Sequence, residues 1–336
     1  MDRVLTKDDL TKLVEGLLSS HVVWAPVRDG KDYSFRRIEK PGEISLDCRQ
    51  TVISPKGVFF PSGETVYRIV DGKPAADEPA KKPIVITAIR PCDARAFLML
   101  DKVFGGELED SLYMTKRANA VLIGMACNEP CPTCFCTSVG GGPFSTEGLD
   151  VLIVDLGGGK YLLRGLNEKG DELISKEGRT ADEESSSRAA ALESEAGKKF
   201  KIEFRAPDSP SADDAYWSRK AMACMDCGIC AFVCPTCHCF DLVDEGDEKK
   251  RIWDTCTFPL FTLMTSGENP REQRRDRIRN RVYHKFAYFR QIHGEIACVG
   301  CGRGVASCPA GIDITELVGE SRSYNELDHE GKEEQI

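Results

Sequence analysis

Cys224, Cys227, Cys230 and Cys234 stand at intervals of two, two and three residues and are followed by Pro235. This C-x2-C-x2-C-x3-C-P run is the pattern that holds 4Fe-4S clusters. Its two-residue gaps let a tight loop aim three thiolates at three irons of one cube, while the fourth cysteine, a helical turn further on, faces a neighbouring cube. One such run predicts a second, and it begins at Cys298 and Cys301 and closes at Cys308 with Pro309, with Gly304 in the place of the third cysteine. In the cross-over arrangement Cys308 completes the cube of Cys224, Cys227 and Cys230. Cys234 then joins Cys298 and Cys301 on a second cube that is one thiolate short. The sequence leaves three completions open: a 3Fe-4S cluster, a 4Fe-4S cluster with a ligand from Cys237, Cys239 or Cys256, or a non-cysteine ligand at one iron. C-x2-C pairs also suit tetrahedral zinc, but the density of the first run and the Cys-Pro ending of both favour iron-sulfur cubes.

The chain has sixteen cysteines in 336 residues. Met1 leads directly into a polar stretch and no later apolar run is long enough to span a bilayer, so the sequence predicts a cytoplasmic protein with no leader and no membrane span. In a reducing cytosol cysteines stay as thiols, which leaves metal binding or redox chemistry as the main use for so many. The length and a hydrophobic content of 41% suit about two domains with real cores. A formal net charge of -9 provides no global attraction to nucleic acid or to an anionic membrane, so a partner must be met by a local patch.

Hydrophobic patterning divides the chain. Up to about residue 165, short β-branched or aromatic runs (Lys56 to Phe60, Pro83 to Ile89, Ala120 to Gly124, Val151 to Leu156) predict strands. Helix is predicted over Thr6 to Leu18 and over Asp93 to Val103, with Asp93 capping the first turn. Gly157 to Gly159 read as a hairpin turn before a strand pattern at Lys160 to Leu163. From Gly165 to Asp214 the composition turns to Glu, Lys, Ser and Ala, with an exposed helix expected around Ala181 to Gly197. The expected class is α+β: a mixed α/β domain over 1–210 with a cysteine-rich loop, then an α-helical ferredoxin-like domain over 211–336 bearing two clusters. The two cysteine runs are more than sixty residues apart, and the spacer, notably Pro270 to Tyr288, has helical character. That arrangement resembles the α-helical ferredoxin domain of succinate dehydrogenase iron-sulfur subunits, which implies two cubes close enough for electron tunnelling.

A third group of cysteines lies in the first half, Cys127-Asn-Glu-Pro-Cys131-Pro-Thr-Cys134-Phe-Cys136, ahead of Gly140 to Gly142 and after Arg90-Pro-Cys92-Asp-Ala-Arg95. With Ser54-Pro-Lys56, Phe59-Phe-Pro61, the Cys-Pro-Thr-Cys-x-Cys-Phe stretch from Cys234, and Asn269-Pro-Arg271 through His284-Lys285, most of the chain resembles one family. These are the 4Fe-4S dicluster proteins that include the A subunit of anaerobic sulfite reductase and the beta subunit of cytoplasmic sulfhydrogenases. The resemblance implies a further 4Fe-4S cluster on Cys92, Cys127, Cys134 and Cys136, with Cys131 where the family usually has no cysteine. It also implies an anaerobic oxidoreductase complex in which this chain relays single electrons. The implied neighbours are a flavin-containing, NAD(P)H-linked subunit and a catalytic subunit such as a hydrogenase or sulfite reductase.

Other features add less. Arg271, Arg274, Arg275, Arg277, Arg279, Arg281 and Lys285 form a basic helical stretch. It could dock an acidic partner or donate to cluster sulfurs, though such a run is more commonly a solvated face with pairs to Asp276 and Glu272. No nucleic-acid motif accompanies it. No nucleotide, zinc-protease or serine-hydrolase motif is present, and His238 suits a hydrogen-bond donor near a cluster better than a ligand. The enzyme-class alternative is a reductase acting directly on a substrate at the open iron near Gly304, but no acid-base pair in the sequence supports it.

Overall fold

Every residue of Ile84–Ile89 and of Ala120–Met125 is buried, an environment that only the middle of a sheet covered on both faces provides. The computed structural model describes residues 1–75, 82–206 and 213–318; the expected domain boundary near residue 210 lies outside them. Its strands are β1 (Asp2–Thr6), β2 (Val22–Asp29), β3 (Asp32–Arg37), β4 (Glu64–Val70), β5 (Lys73–Ala75), β6 (Ile84–Ile89), β7 (Ala120–Met125), β8 (Val151–Gly157), β9 (Lys160–Gly165), β10 (Arg179–Thr180), β11 (Phe240–Glu245) and β12 (Glu248–Trp253). The helices are α1 (Lys7–Ser20), α2 (Pro91–Phe104), α3 (Ser111–Ala118), α4 (Glu168–Ile174), α5 (Glu183–Gly197), α6 (Asp214–Ala221), α7 (Ile229–Phe232), α8 (Arg274–Tyr283), α9 (Phe289–His293) and α10 (Arg303–Ala306).

Eight strands form one mixed sheet in the order β10-β1-β9-β8-β7-β6-β2-β3, in which β2, β6, β7 and β8 run parallel. Alternation along the central strands sends side chains to two separate cores. Ile84, Ile86 and Leu122 join Phe97 and Leu100 of α2 and Leu192 of α5 on one face. Val85, Val121 and Ile123 join Leu10, Leu13 and Leu17 of α1 on the other. The result is a helix-sheet-helix sandwich with the expected hairpin turn at Gly157 to Gly159. Thr6 caps α1 in a full capping box with Asp9. α5 is the expected exposed helix: most of its residues face outward, and Ala189, Leu192 and Ala196 pack its one buried stripe on the sheet.

Three expectations are corrected. Lys56 to Phe60 is not a strand: Pro55–Val58 forms a 3-10 turn, and the consecutive Phe59 and Phe60 are both fully buried, which a single-faced strand does not permit. Asp93 does not cap α2, whose N-cap is Arg90; its carboxylate is taken by Arg303. The spacer between the cysteine runs is helical only in its second half. Its first half is the β11–β12 hairpin, which extends β4 and β5 into a second, four-stranded antiparallel sheet. Among the described residues no helix is long and apolar enough to cross a membrane.

Two further cores join residues remote in sequence. Phe135 and Val139 pack with Trp217, Ile278, Val282 and Phe286. Ala96 and Met99 of α2 pack with Phe289, Ala297, Val299 and Cys301. Both lie where the cysteines gather.

Candidate metal centre

Parallel strands β6 and β7 end side by side, and the chain leaves them as Arg90-Pro91-Cys92 and Ala126-Cys127. The carboxyl ends of parallel strands are where open α/β sheets place ligands. Pro91 suits the first position of α2, since its missing N–H would have no helical partner there. Cys127 is fixed by its N–H to the Pro143 carbonyl (2.8 Å), and the loop ends in a 3-10 turn, Cys136–Val139, closed by left-handed Gly140. Cys92, Cys127, Cys131, Cys134 and Cys136 thus line one small cavity, and Cys301 stands in the same wall.

The two C-terminal runs fold alike. In each, the residue before the second cysteine has positive φ (Asp226 at 53°, Gly300 at 62°), as does the residue after it (Gly228 and Gly302, both 74°), and a one-turn helix follows, α7 or α10. Cys230 is the second residue of α7 and Gly304 the second of α10, so Gly304 occupies the place of the missing cysteine in space as well as in sequence. Cys224, Cys227, Cys230, Cys234, Cys298, Cys301 and Cys308 line a single cavity with Gly304 among them. Cys301 therefore borders both cavities. Cys237, Cys239 and Cys256 are outside this lining; Cys237 meets Cys234, and Cys239 meets Cys256, at hydrogen-bonding range. Among the described residues no three of His, Cys, Asp and Glu converge on a point that a single ion could fill.

The N-terminal loop and the second run touch backbone to backbone. Phe135 N–H donates to the Gly300 carbonyl (2.8 Å) and the Cys134 thiol to the Cys301 carbonyl (3.4 Å). A Cβ on Gly300 would sit 2.6 Å from both Cα and N of Cys136. Gly300→Ala therefore combines left-handed strain with overpacking, and is expected to cost about 2–4 kcal/mol in denaturant-monitored stability. A variant as stable as the native chain would mean that the loops are not held in this contact.

The basic stretch splits by helical period. Arg274, Arg275 and Arg279 face outward onto Asp226, Asp214 and Asp276, as in the solvated-face reading. Arg277, Arg281 and Lys285, four residues apart, point inward and are buried. Arg277 pairs with Asp226 (3.0 Å) and so clamps the loop between Cys224 and Cys227. Arg281 reaches Cys237 Sγ (3.6 Å) and the Cys230 carbonyl (2.8 Å). Lys285 Nζ reaches Cys234 Sγ (3.4 Å), Thr236 Oγ1 (3.0 Å) and the Ala297 carbonyl (2.7 Å). His238 is not among these contacts and bonds the Thr236 carbonyl through Nδ1 (3.0 Å).

Among the described residues neither Arg281 nor Lys285 has a carboxylate partner. A buried cation without a counter-charge is strongly disfavoured, so the cavity beside them calls for an anionic group. A thiolate-bound iron-sulfur cluster meets that demand, and the donor set fits it: sulfur ligands in paired loops around a largely apolar space. Burial disfavours the thiolates themselves, and it pushes Cys301 and Cys136 up to about 12. Metal binding must therefore release protons. Cys234 departs from this trend: the Cys237 thiol donates to it, and Lys285 and Arg281 add their charge, so it lies well below the ordinary thiol range. Cys131 behaves likewise, brought down to about 6 by the adjacent Cys134 and the charges of Arg49 and Arg90.

Several residues that shape the site carry no metal-ligand signature. Lys56 is buried under the Trp253 ring and donates to the Ala231 (3.1 Å) and Cys237 (2.9 Å) carbonyls. Arg90 donates to the Met125 and Ala126 carbonyls and to that of Cys48. Both stand within the short motifs quoted above, which gave them a place in the sequence without a role.

A family model described as a 4Fe-4S dicluster domain matches residues 223–312. The chain is 31% identical over 313 residues to sulfhydrogenase 2 subunit beta of Pyrococcus furiosus, an alignment that covers 89% of this chain and 92% of that protein.

Proposed function

This chain belongs to the 4Fe-4S dicluster family that includes the sulfhydrogenase beta subunit, and from that premise we propose that it is the iron-sulfur electron-transfer subunit of a hydrogenase-like oxidoreductase complex. Its partners in this reading are a flavin-containing, NAD(P)H-linked subunit and a catalytic hydrogenase or sulfite reductase subunit. The observation that carries the reading is the cavity lined by seven cysteines beside two buried cations that lack carboxylate partners among the described residues.

The proposed ligands fall into three sets. Cys224, Cys227, Cys230 and Cys308 hold one cube. Cys234, Cys298 and Cys301 hold the second, with Cys237 as its fourth ligand, because Cys237 alone of the three spare cysteines meets Cys234; Cys239 is turned to Cys256. Cys92, Cys127, Cys134 and Cys136 hold the third. When bound, such clusters supply single-electron steps that divide a flavin's two-electron chemistry. The protein's part is to fix the sites next to one another: the Phe135 to Gly300 contact sets the third beside the second, and the pairing of α7 with α10 sets the second beside the first.

A second reading, direct reduction of a substrate at the second cube, draws on the open space at Gly304, where a Cβ would meet nothing within 4 Å. Among the described residues the charged groups lining that cavity are Arg281 and Lys285, and no carboxylate or histidine lines it to move a proton, so the relay is preferred.

Anaerobic purification followed by iron, sulfide and zinc analysis tests the relay. About twelve irons per chain, no zinc, and reduced 4Fe-4S signals by EPR are expected for three cubes. Stoichiometric zinc without visible absorption would exclude it.

A further inference from the structure

Charge is distributed unevenly over the three proposed sites. Beside Cys224 the nearest charged side chain is Asp226, whose carboxylate takes Arg274 (2.7 Å) and Arg277 (3.0 Å), and Arg281 touches this site only through the Cys230 carbonyl (2.8 Å). At the N-terminal site Arg303 is neutralised by Asp93, leaving Arg90 on the buried side and the exposed Arg49 at the rim. Beside Cys234 and Cys237 there are three buried cations, Lys285 on the Cys234 sulfur, Arg281 on that of Cys237 and Lys56 on the Cys237 carbonyl, with no acid to match them among the described residues.

Reduction adds one negative charge to a cluster. A fixed positive charge in a buried, weakly screened position stabilises the reduced form, and net charge and hydrogen bonds to sulfur are among the levers that set cluster potentials. We infer that Lys285, with Arg281 one turn before it, holds the cube bound by Cys234 at the highest reduction potential of the chain. That makes it the station where an electron rests between the other two. The inference rests on the ligand set proposed above for this cube.

Lys285 is also well placed for the task mechanically. The Thr236 hydroxyl and the Ala297 carbonyl hold two of its three ammonium protons, and its stem lies in the π-helical stretch His284–Tyr288. π-bulges of this kind concentrate at functional sites. Here the wider turn carries the lysine toward Cys234. Lys285 is a positioning and tuning residue, since it meets the cluster's ligand and not a substrate.

The test is an EPR-monitored redox titration of the iron-loaded full chain and of Lys285→Gln, Lys285→Arg and Arg281→Gln, with iron content measured for each. Lys285→Gln keeps a donor for Thr236 and loses the charge. One reduced signal is expected to shift so that, at a given potential, its reduced-to-oxidised ratio falls about tenfold, equivalent to about 59 mV for one electron. The other signals should stay in place. Lys285→Arg is expected to return most of the shift, and Arg281→Gln to move the same signal most, in the same direction, with a smaller shift of the cube that Cys230 binds. Full iron with no shift in either Gln variant overturns the inference and leaves the ligand set intact, as does an equal shift of every signal. Should Lys285→Gln fail to load, Arg281→Gln decides alone. Native protein without the expected iron overturns the ligand set itself.

Discussion

Arg303→Met is expected to lower the folding stability by about 3–5 kcal/mol, the magnitude seen when one member of a buried ion pair is removed. Arg303 is 2% exposed and Asp93 1%. They meet through two parallel bonds, Nη1 to Oδ1 at 2.5 Å and Nη2 to Oδ2 at 2.7 Å, and Arg303 Nε also donates to the Thr51 carbonyl at 2.9 Å. This bidentate geometry is the strong form of the interaction, and losing the arginine leaves the Asp93 carboxylate buried without a partner. The pair ties the first turn of α2, which carries Cys92, to α10, which follows Cys301. The same variant is therefore expected to lose iron from the N-terminal site first. Guanidinium titration of anaerobically prepared protein reads the stability. Arg303→Met combined with Asp93→Leu should recover a large part of the loss, since an apolar pair removes the stranded charge. A single variant within about 1 kcal/mol of the native chain would show that water reaches the pair.

Those two residues also mark the limit of what sequence reveals. The β-branched runs of β6, β7 and β8 and the helical spacing of Leu10, Leu13, Leu17 and Leu18 are local signals, and they placed the central sheet and α1 directly. The ferredoxin-type spacing is local as well, and named the cysteines of both C-terminal runs. Asp93 was misread as a cap because its arginine partner is 210 residues away, and a carboxylate in a first helical turn has a local use that no distant contact announces. The β11–β12 hairpin left little pattern for a different reason. Its strands carry Asp241, Asp244, Glu245, Lys249 and Lys250, and most of β11 is exposed, so neither face shows an apolar stripe to read. Lys56 to Phe60 has strand-like composition, but Pro55 sets a tight turn and two adjacent phenylalanines enter the core together. In the basic stretch composition favoured a solvated face, whereas the spacing of Arg277, Arg281 and Lys285 by four is what separates inward from outward residues.

Cys237→Ala is expected to remove about one iron per chain and to produce, in the oxidised protein, the EPR signal of a 3Fe-4S centre. The expectation follows from the proposal that Cys237 is the fourth ligand of the Cys234 cube, since its thiol meets Cys234 and Arg281 reaches its sulfur at 3.6 Å. Cys239→Ala and Cys256→Ala should leave that cube complete, because those two thiols face each other. Position 304 then supplies the decisive control. Gly304 follows Cys301 as Cys230 follows Cys227, at the same place in a one-turn helix after the same left-handed glycine. A Cβ there meets nothing within 4 Å, and the residue lines the cavity. Gly304→Cys in the Cys237→Ala background thus offers a thiol from the position a standard second run would use, and is expected to restore the fourth iron. Removing a helical glycine also favours the α10 backbone by about 0.5–1 kcal/mol, so the rescue should carry no folding cost. If Cys237→Ala keeps its full iron and its reduced signal, the fourth ligand lies elsewhere. Conversion by Cys256→Ala instead would assign it there. Rescue by Gly304→Cys would mean that the natural chain has moved a ligand from α10 to the Cys234-Pro-Thr-Cys237 loop, where the bound sulfur meets Arg281. Arg281 meets the Cys237 sulfur and Lys285 that of Cys234, so the displaced ligand and the cations beside it act on the same cube.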